Sequence, residues 1–219
     1  MLMSLGLMLG GTGCKQTDEA DVYRTCMGNQ DRLCAVQAVS RLVTAEPFNA
    51  TWLDTLAILY SNLGMNEQAS LACARALNTR ESRAVRLADG ASNKALGKFD
   101  RAFDSYSKLL AAEPQELEFQ YENAYLLIRL GRDDEAMPML DKVLAHPKAA
   151  ELQMQEFVEQ GSQMVPYAAV AHNLRGYIHT RKGQNQDAVA AYQASLSIFP
   201  DYFLAKNNLM VLMAQMKAQ

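Results

Sequence analysis

The sequence predicts an all-α fold, a right-handed superhelical stack of antiparallel helix pairs, and three recurrences carry that prediction. Gly64, Gly97 and Gly131 stand 33 and 34 residues apart, with a fourth copy at Gly183. Each has an alanine five residues later (Ala69, Ala102, Ala136, Ala188) and a small residue seven earlier (Ala57, Gly90, Ala124, Gly176). Proline follows by seventeen residues in two copies, Pro114 and Pro200, and by sixteen in a third, Pro147. A fixed interval of this length means one supersecondary unit used repeatedly, and stacked units work by offering a surface.

The unit is a helical hairpin. The small residue and the alanine mark where two antiparallel helices cross, since short side chains there let the backbones approach. Glycine supplies the left-handed residue that ends the first helix. Asn66, Asp100, Asp133 and Gln184 start the second helix, whose inner position nine after the glycine holds Cys73, Tyr106, Leu140 or Tyr192. Proline stops the pair because it cannot continue a helix interior.

Taken in order, residues 1–20 read as a leader and tether. The uncharged stretch "MLMSLGLMLGGTG" runs into Cys14 and falls short of the about 20 apolar residues a spanning helix needs. It resembles the end of a secretory signal, and Gly11, Thr12 and Gly13 before Cys14 resemble a bacterial lipoprotein cleavage box, with "KQTDEAD" as the tether. Such boxes usually carry leucine where Gly11 stands. The resemblance implies lipidation of Cys14; the alternative is an ordinary N-terminus holding an incidental cysteine.

Residues 21–219 form the stack. A degenerate unit spans 21–47, aligned by Ala35, twelve residues before Pro47. Within it, Cys26 and Cys34 flank a turn-like "MGNQDRL"; a disulfide there would contribute roughly 2–3 kcal/mol in an exported protein, and two buried thiols are the alternative. Four clear copies follow at 50–80, 83–114, 117–147 and 169–200. The first has Glu81 where proline is expected, and the second has Asn93 where others place Tyr60, Leu127 or His179. An insert at about 148–165 either lengthens a helix and turns at Gly161-Ser162 or folds as a short strand hairpin about that turn. Pro166 suits the first turn of the next helix. A last helix, 202–217, caps the open stack.

The strings "LDTLAILYSNLGMNEQAS", "DGASNKALGKFDRAF", "ENAYLLIRLGRDDEA" and "LRGYIHTRKGQNQDAV" resemble the tetratricopeptide repeat, with its small residue, loop glycine, alanine and terminal proline. The resemblance implies that first helices line a concave groove. Carried over position by position, it places Asp54, Ile58 and Asn62, then Leu87, Ala91 and Lys94, then Tyr121, Tyr125 and Arg129, then Asn173, Tyr177 and Arg181 on that groove. Asp54, Asn62, Lys94, Tyr121, Tyr125, Arg129, Asn173, Tyr177 and Arg181 are the candidate partner-binding residues.

Tyr125/Arg129 and Tyr177/Arg181 repeat one spacing that puts both side chains on one helix face. Tyrosine offers a stiff contact surface and arginine a fork for carboxylates, which points to another protein's segment carrying acidic groups. The alternative is that the rings pack between hairpins while the arginines are solvated. The family's clamp for a terminal carboxylate is disfavoured, because Asn62, Lys94 and Asn173 sit in the wrong repeats for it.

Composition excludes more than it assigns. Net charge is −3, with 21 basic and 24 acidic residues interspersed and no basic block, so nucleic acid is not expected as a partner. His172 and His179 share a helix face about 10 Å apart, too far for one metal ion, and His146 sits in a turn. With no phosphate-binding glycine loop and no zinc-type cysteine pair, neither cofactor nor metal nor catalytic residue is expected. The expectation is a non-catalytic interaction scaffold, lipid-tethered in a bacterial envelope at the outer membrane or periplasmic face and assisting assembly of an envelope complex. Two alternatives stay open: an obligate structural subunit, favoured by Met210, Met213 and Met216 on one face, and a cytosolic adaptor if the leader is spurious.

Overall fold

The computed structural model describes residues 18–158 and 161–218. Its described elements are helices α1 (Glu19–Gly28), α2 (Arg32–Ala45), α3 (Ala50–Asn62), α4 (Asn66–Thr79), α5 (Arg83–Ala95), α6 (Phe99–Ala112), α7 (Leu117–Arg129), α8 (Asp133–Ala145), α9 (Tyr167–Arg181), α10 (Asn185–Ile198) and α11 (Phe203–Lys217). Strands β1 (Gln153–Val158) and β2 (Gly161–Pro166) interrupt them between α8 and α9.

Each loop glycine ends its first helix by one mechanism. Gly64, Gly97, Gly131 and Gly183 have φ between 70° and 73°. The glycine N–H reaches back three residues (Gly64 to the Ser61 carbonyl, 3.0 Å), and the next N–H reaches back five (Met65 to the Tyr60 carbonyl, 3.0 Å). The other three loops repeat the pair of bonds, which satisfies carbonyls that a helix end would leave open. First helices start on side-chain caps where the sequence supplies them: Asn49 accepts from the Thr51 amide at 3.0 Å, and Ser82 caps Val85. Second helices start without one, at Asn66, Phe99, Asp133 and Asn185.

At the crossings, Ala57, Ala69, Ala102, Ala124, Ala136 and Ala188 are fully buried. Where the residue nine after the loop glycine is tyrosine, the opposing small residue is glycine. A Cβ on Gly90 would stand 2.7 Å from the Tyr106 ring, and one on Gly176 would stand 2.5 Å from the Tyr192 ring. Where that residue is Cys73 or Leu140, alanine (Ala57, Ala124) fits instead. The core follows the stack as successive clusters, from Val39 and Leu56 at one end to Leu140, Val165 and Ile178 at the other.

Asn93, the odd residue of the second copy, is 1% exposed and ties three helices together. Ser70 Oγ on α4 donates to Asn93 Oδ1 at 2.9 Å, Asn93 Nδ2 donates to Asp89 Oδ1 at 2.9 Å, and Ser105 Oγ on α6 donates to Asp89 Oδ2 at 2.5 Å. A hydrogen-bonded knot replaces the bulk found in the other copies.

The degenerate N-terminal unit is a full helix pair. Asp31 accepts from the Cys34 amide at 2.9 Å to start α2, and Cys26 and Cys34 are joined as a disulfide across the turn, their Cα atoms 5.6 Å apart. Tyr23 packs edge-on against Trp52, 5.9 Å between centroids, joining the pair to α3.

The insert takes the strand alternative: α8 stops at Ala145, and β1 pairs antiparallel with β2. Val158 pairs with Gly161, so Gly161 and Ser162 already belong to β2 instead of forming the turn between strands. Period-two alternation explains the choice, since Met154 and Val165 face each other on the side packed against the core while Phe157 and Met164 point away. At the C-terminus, α11 buries Ala205 and Leu212 and leaves Met210, Met213 and Met216 between 39% and 65% exposed. No described helix is long and apolar enough to cross a membrane.

Candidate interaction groove

The first helices α3, α5, α7, α9 and α11 supply one side of the stack, and the structure separates the sequence-predicted residues on it into three sets. Cys14 lies outside the described residues.

One set is taken up inside the fold, which corrects the expectation that it faces a partner. Asp54 is 8% exposed and ion-pairs with Arg80 at the end of α4, because Arg80 lies within reach across the same hairpin. Tyr121 is 4% exposed under the β-hairpin, its ring edge-on to Tyr167 at 5.4 Å and stacked near Tyr125 at 6.2 Å. Burial pushes its hydroxyl well above the usual tyrosine range, and Tyr167 is pushed up to about 12 for the same reason. Asn173 is 5% exposed and accepts from Asn208 Nδ2 at 2.9 Å, since α11 packs where a further first helix would stand.

A second set is half-used. Lys94 on α5 is partly buried and ion-pairs with Glu122 on α7, with its Nζ 5.7 Å from the Tyr106 ring centre and 5.9 Å from that of Tyr125. Arg181 sits 3.4 Å from Asp133 Oδ1 and donates to the Ile128 carbonyl at 3.4 Å, tying the end of α9 to the α7–α8 turn. Its planar fork is therefore partly committed within the chain.

The third set is open. Tyr177 is 43% exposed, Asn62 is exposed, and Tyr125 is half-buried. Arg129 Nη1 donates to Tyr125 Oη at 2.7 Å, and its guanidinium lies 4.1 Å above the Phe99 ring. Among the described residues no carboxylate lies within ion-pair distance of Arg129. The Tyr125, Arg129 and Phe99 side chains thus make a preformed aromatic–cationic ledge beside Tyr177 and Arg181.

For Tyr121 the cover is the β-hairpin. The hairpin packs over the early turns of α7 and α9 through Met154 and Val165, and Gln163 ties it to the α10–α11 turn, its Nε2 donating to the Asp201 carbonyl at 2.8 Å. The late turns, toward the loop glycines, stay uncovered. Phe99, Glu122, Glu156 and Tyr167 were missed by sequence reasoning. Phe99 follows its loop glycine by two residues, a position the carried-over pattern did not include. Glu156 becomes legible only once the insert is read as a strand, because alternation then sets it on the face of Met154.

Among the described residues no cluster of histidine, cysteine and carboxylate side chains could hold a metal ion. His172 is lowered by burial and by Arg175, and His179 Nδ1 stands 2.8 Å from Gln184 Oε1. Both line the cleft between α9 and α10, with Arg175 and Asp187.

Known proteins place this geometry. No curated protein sequence matches the chain. The solved structure of YrrB, described as a TPR protein with an unusual peptide-binding site, superposes with a TM-score of 0.71 at 15% identity, covering 86% of this chain and 89% of that one. MamA from Desulfovibrio magneticus RS-1 superposes with a TM-score of 0.65 at 15% identity, covering 85% of this chain and 98% of that one. Another MamA structure gives 0.65 at 17% identity, over 82% and 89%. At these identities the likeness concerns the fold: a stack of antiparallel helix pairs. In sequence, two profiles of the tetratricopeptide repeat match residues 94–154 and 143–203, together 94–203, or 110 of 219 residues. The chain belongs to the tetratricopeptide repeat family.

Proposed function

We propose that this protein is a non-catalytic scaffold that binds a segment of another protein in its groove, centred on the ledge formed by Tyr125, Arg129 and Phe99 with Tyr177 beside it. The observation that carries the reading is Arg129: exposed, held flat by Phe99 and Tyr125, and without a carboxylate partner among the described residues. A guanidinium held in this way loses little freedom on binding a carboxylate with two parallel bonds, which favours an acidic segment. YrrB, of like fold, is described as binding peptide.

The tether completes the proposal. Cys14 after the apolar leader is read as a lipidation site, which would hold the scaffold at the outer membrane or periplasmic face of a bacterial envelope, where it assists assembly of a complex. The second reading, an obligate subunit, is favoured by the exposed methionines of α11.

Photo-crosslinking in cells tests the groove. A crosslinker at Tyr177 should trap a discrete protein that one at Leu71, 71% exposed on α4, does not trap, and Arg129→Ala should reduce the yield. Equal capture at both positions, or capture indifferent to Arg129→Ala, would reject the reading. Labelled palmitate should enter the native protein and not Cys14→Ala.

A further inference from the structure

The β1–β2 hairpin stands over the groove side of α7, and its seat contains a charge imbalance. Its inward side chains Met154, Val158, Val165 and Gln163 are apolar or neutral; the fifth, Glu156, is half-buried against Tyr121 and pairs across the strands with Gln163. The charged and titratable groups around it are Tyr121 and Glu122 from α7, Lys94 from α5, and Tyr202 just before α11. Glu118 and Tyr125 of α7 lie next to these in turn.

Two carboxylates therefore lie at the seat, and the ammonium there ion-pairs with Glu122; among the described residues Glu156 has no ion-pair partner. Glu122 is 7% exposed, and its Oε2 has no hydrogen-bond partner among the described residues. Among the described residues, polar attachment elsewhere is confined to the base, where the Tyr167 amide donates to the Leu152 carbonyl at 3.1 Å and the Ala168 amide to the Ala149 carbonyl at 2.8 Å, and to Gln163. Besides its bond to the Asp201 carbonyl, Gln163 accepts from the Phe203 amide through Oε1 at 3.0 Å. On the outer face Phe157 and Met164 are 75% and 52% exposed, so little apolar burial holds the hairpin from that side.

We propose that the hairpin is an intramolecular occupant of the groove, standing where a carboxylate-bearing partner segment would lie, and that its half-buried Glu156, left without an ion pair beside the buried Glu122, allows its release. The inference rests on the groove reading above and adds its regulation: with the hairpin seated only the ledge is open, and with it displaced Tyr121 and Lys94 join the contact surface.

Burial raises both Glu122 and Glu156 above the usual carboxylate range, while Lys94 acts in the opposite direction on each. A carboxyl raised in the seated state binds its proton more tightly there. Seating is therefore strongest at or below the ordinary glutamate value and weakens as pH rises through the raised ones. At neutral pH the hairpin is held against that penalty.

The Phe203 amide reports seating directly, because it starts α11 and donates to Gln163. In the full-length protein without partner, its hydrogen-exchange protection, corrected for the intrinsic rate, should fall by about threefold or more between about pH 5 and about pH 7.5. Glu156→Gln should raise protection at the higher pH by about threefold or more and flatten the pH dependence. Lys94→Met, which removes the ion pair of Glu122 and leaves both carboxylates at the seat uncompensated, should lower protection at the higher pH and leave it near wild type at the lower; it serves as the test if Glu156→Gln does not fold. A flat wild-type profile, or lower protection in Glu156→Gln, would overturn the proposal by making Glu156 a plain anchor. No partner enters this measurement, so its failure is separate from failure of the crosslinking experiment.

Discussion

Replacing Gly176 with alanine tests the packing rule on which the stack depends. A methyl there would meet Tyr192 Cε1 at 2.5 Å, Cδ1 at 2.6 Å and Cζ at 2.9 Å. The ring cannot easily withdraw: Tyr192 is 2% exposed, and its hydroxyl lies 3.1 Å from Thr180 Oγ1. Overpacking of this kind costs about 1–3 kcal/mol. Alanine recovers about 0.5–1 kcal/mol of helix propensity over glycine, so the net expectation is destabilisation by about 0–2.5 kcal/mol. Urea denaturation followed by far-UV circular dichroism reads this directly, and a thermal scan should fall by about 2–4 °C per kcal/mol for a chain of this size. In a Tyr192→Leu background, which copies the Ala124/Leu140 pairing of the third repeat, the same Gly176→Ala should become neutral or stabilising. The cycle should therefore return a coupling of about 1–3 kcal/mol. Stabilisation by Gly176→Ala in the otherwise unchanged chain would refute the reasoning, because helix propensity would then outweigh a contact that is not close.

Two further outcomes follow from the N-terminal half. Replacing Cys26 and Cys34 together with serine should lower stability under oxidising conditions by about 2–3 kcal/mol, and a reductant should move the native protein to the same denaturation midpoint. Asn93→Ala should cost about 1–3 kcal/mol in the same denaturation assay, because Ser70 and Asp89 would be left in the interior with bonds unmade. A loss no larger than that of an exposed control, Asn62→Ala, would mean that water replaces the lost amide.

Local chemistry repeated along the chain was the legible part. The loop glycines and crossing alanines are short-range constraints, each expressed within one hairpin, and the helices stand where that periodicity puts them, while the pairing of glycine with tyrosine emerged only in the packing. The groove was legible only in outline. Positions carried over from the family say which way a first helix faces but not what covers it. Asp54 is neutralised by Arg80, twenty-six residues away in sequence, and Arg181 meets Asp133 forty-eight residues away. Neither pairing leaves a mark in the spacing of residues along one helix.

By itself, the order of amino acids determined that antiparallel helix pairs stack and how many clear copies there are. Tertiary structure decided the state of the insert and, through it, the shape of the workable surface. "QMQEFV" has no strong preference in isolation; it becomes a strand because Met154 and Val165 find buried neighbours on α7 and α9, and Gln163 finds the start of α11. The free energy that selects the hairpin comes from contacts among helices distant in sequence, and those contacts also bury Tyr121 and leave Arg129 open.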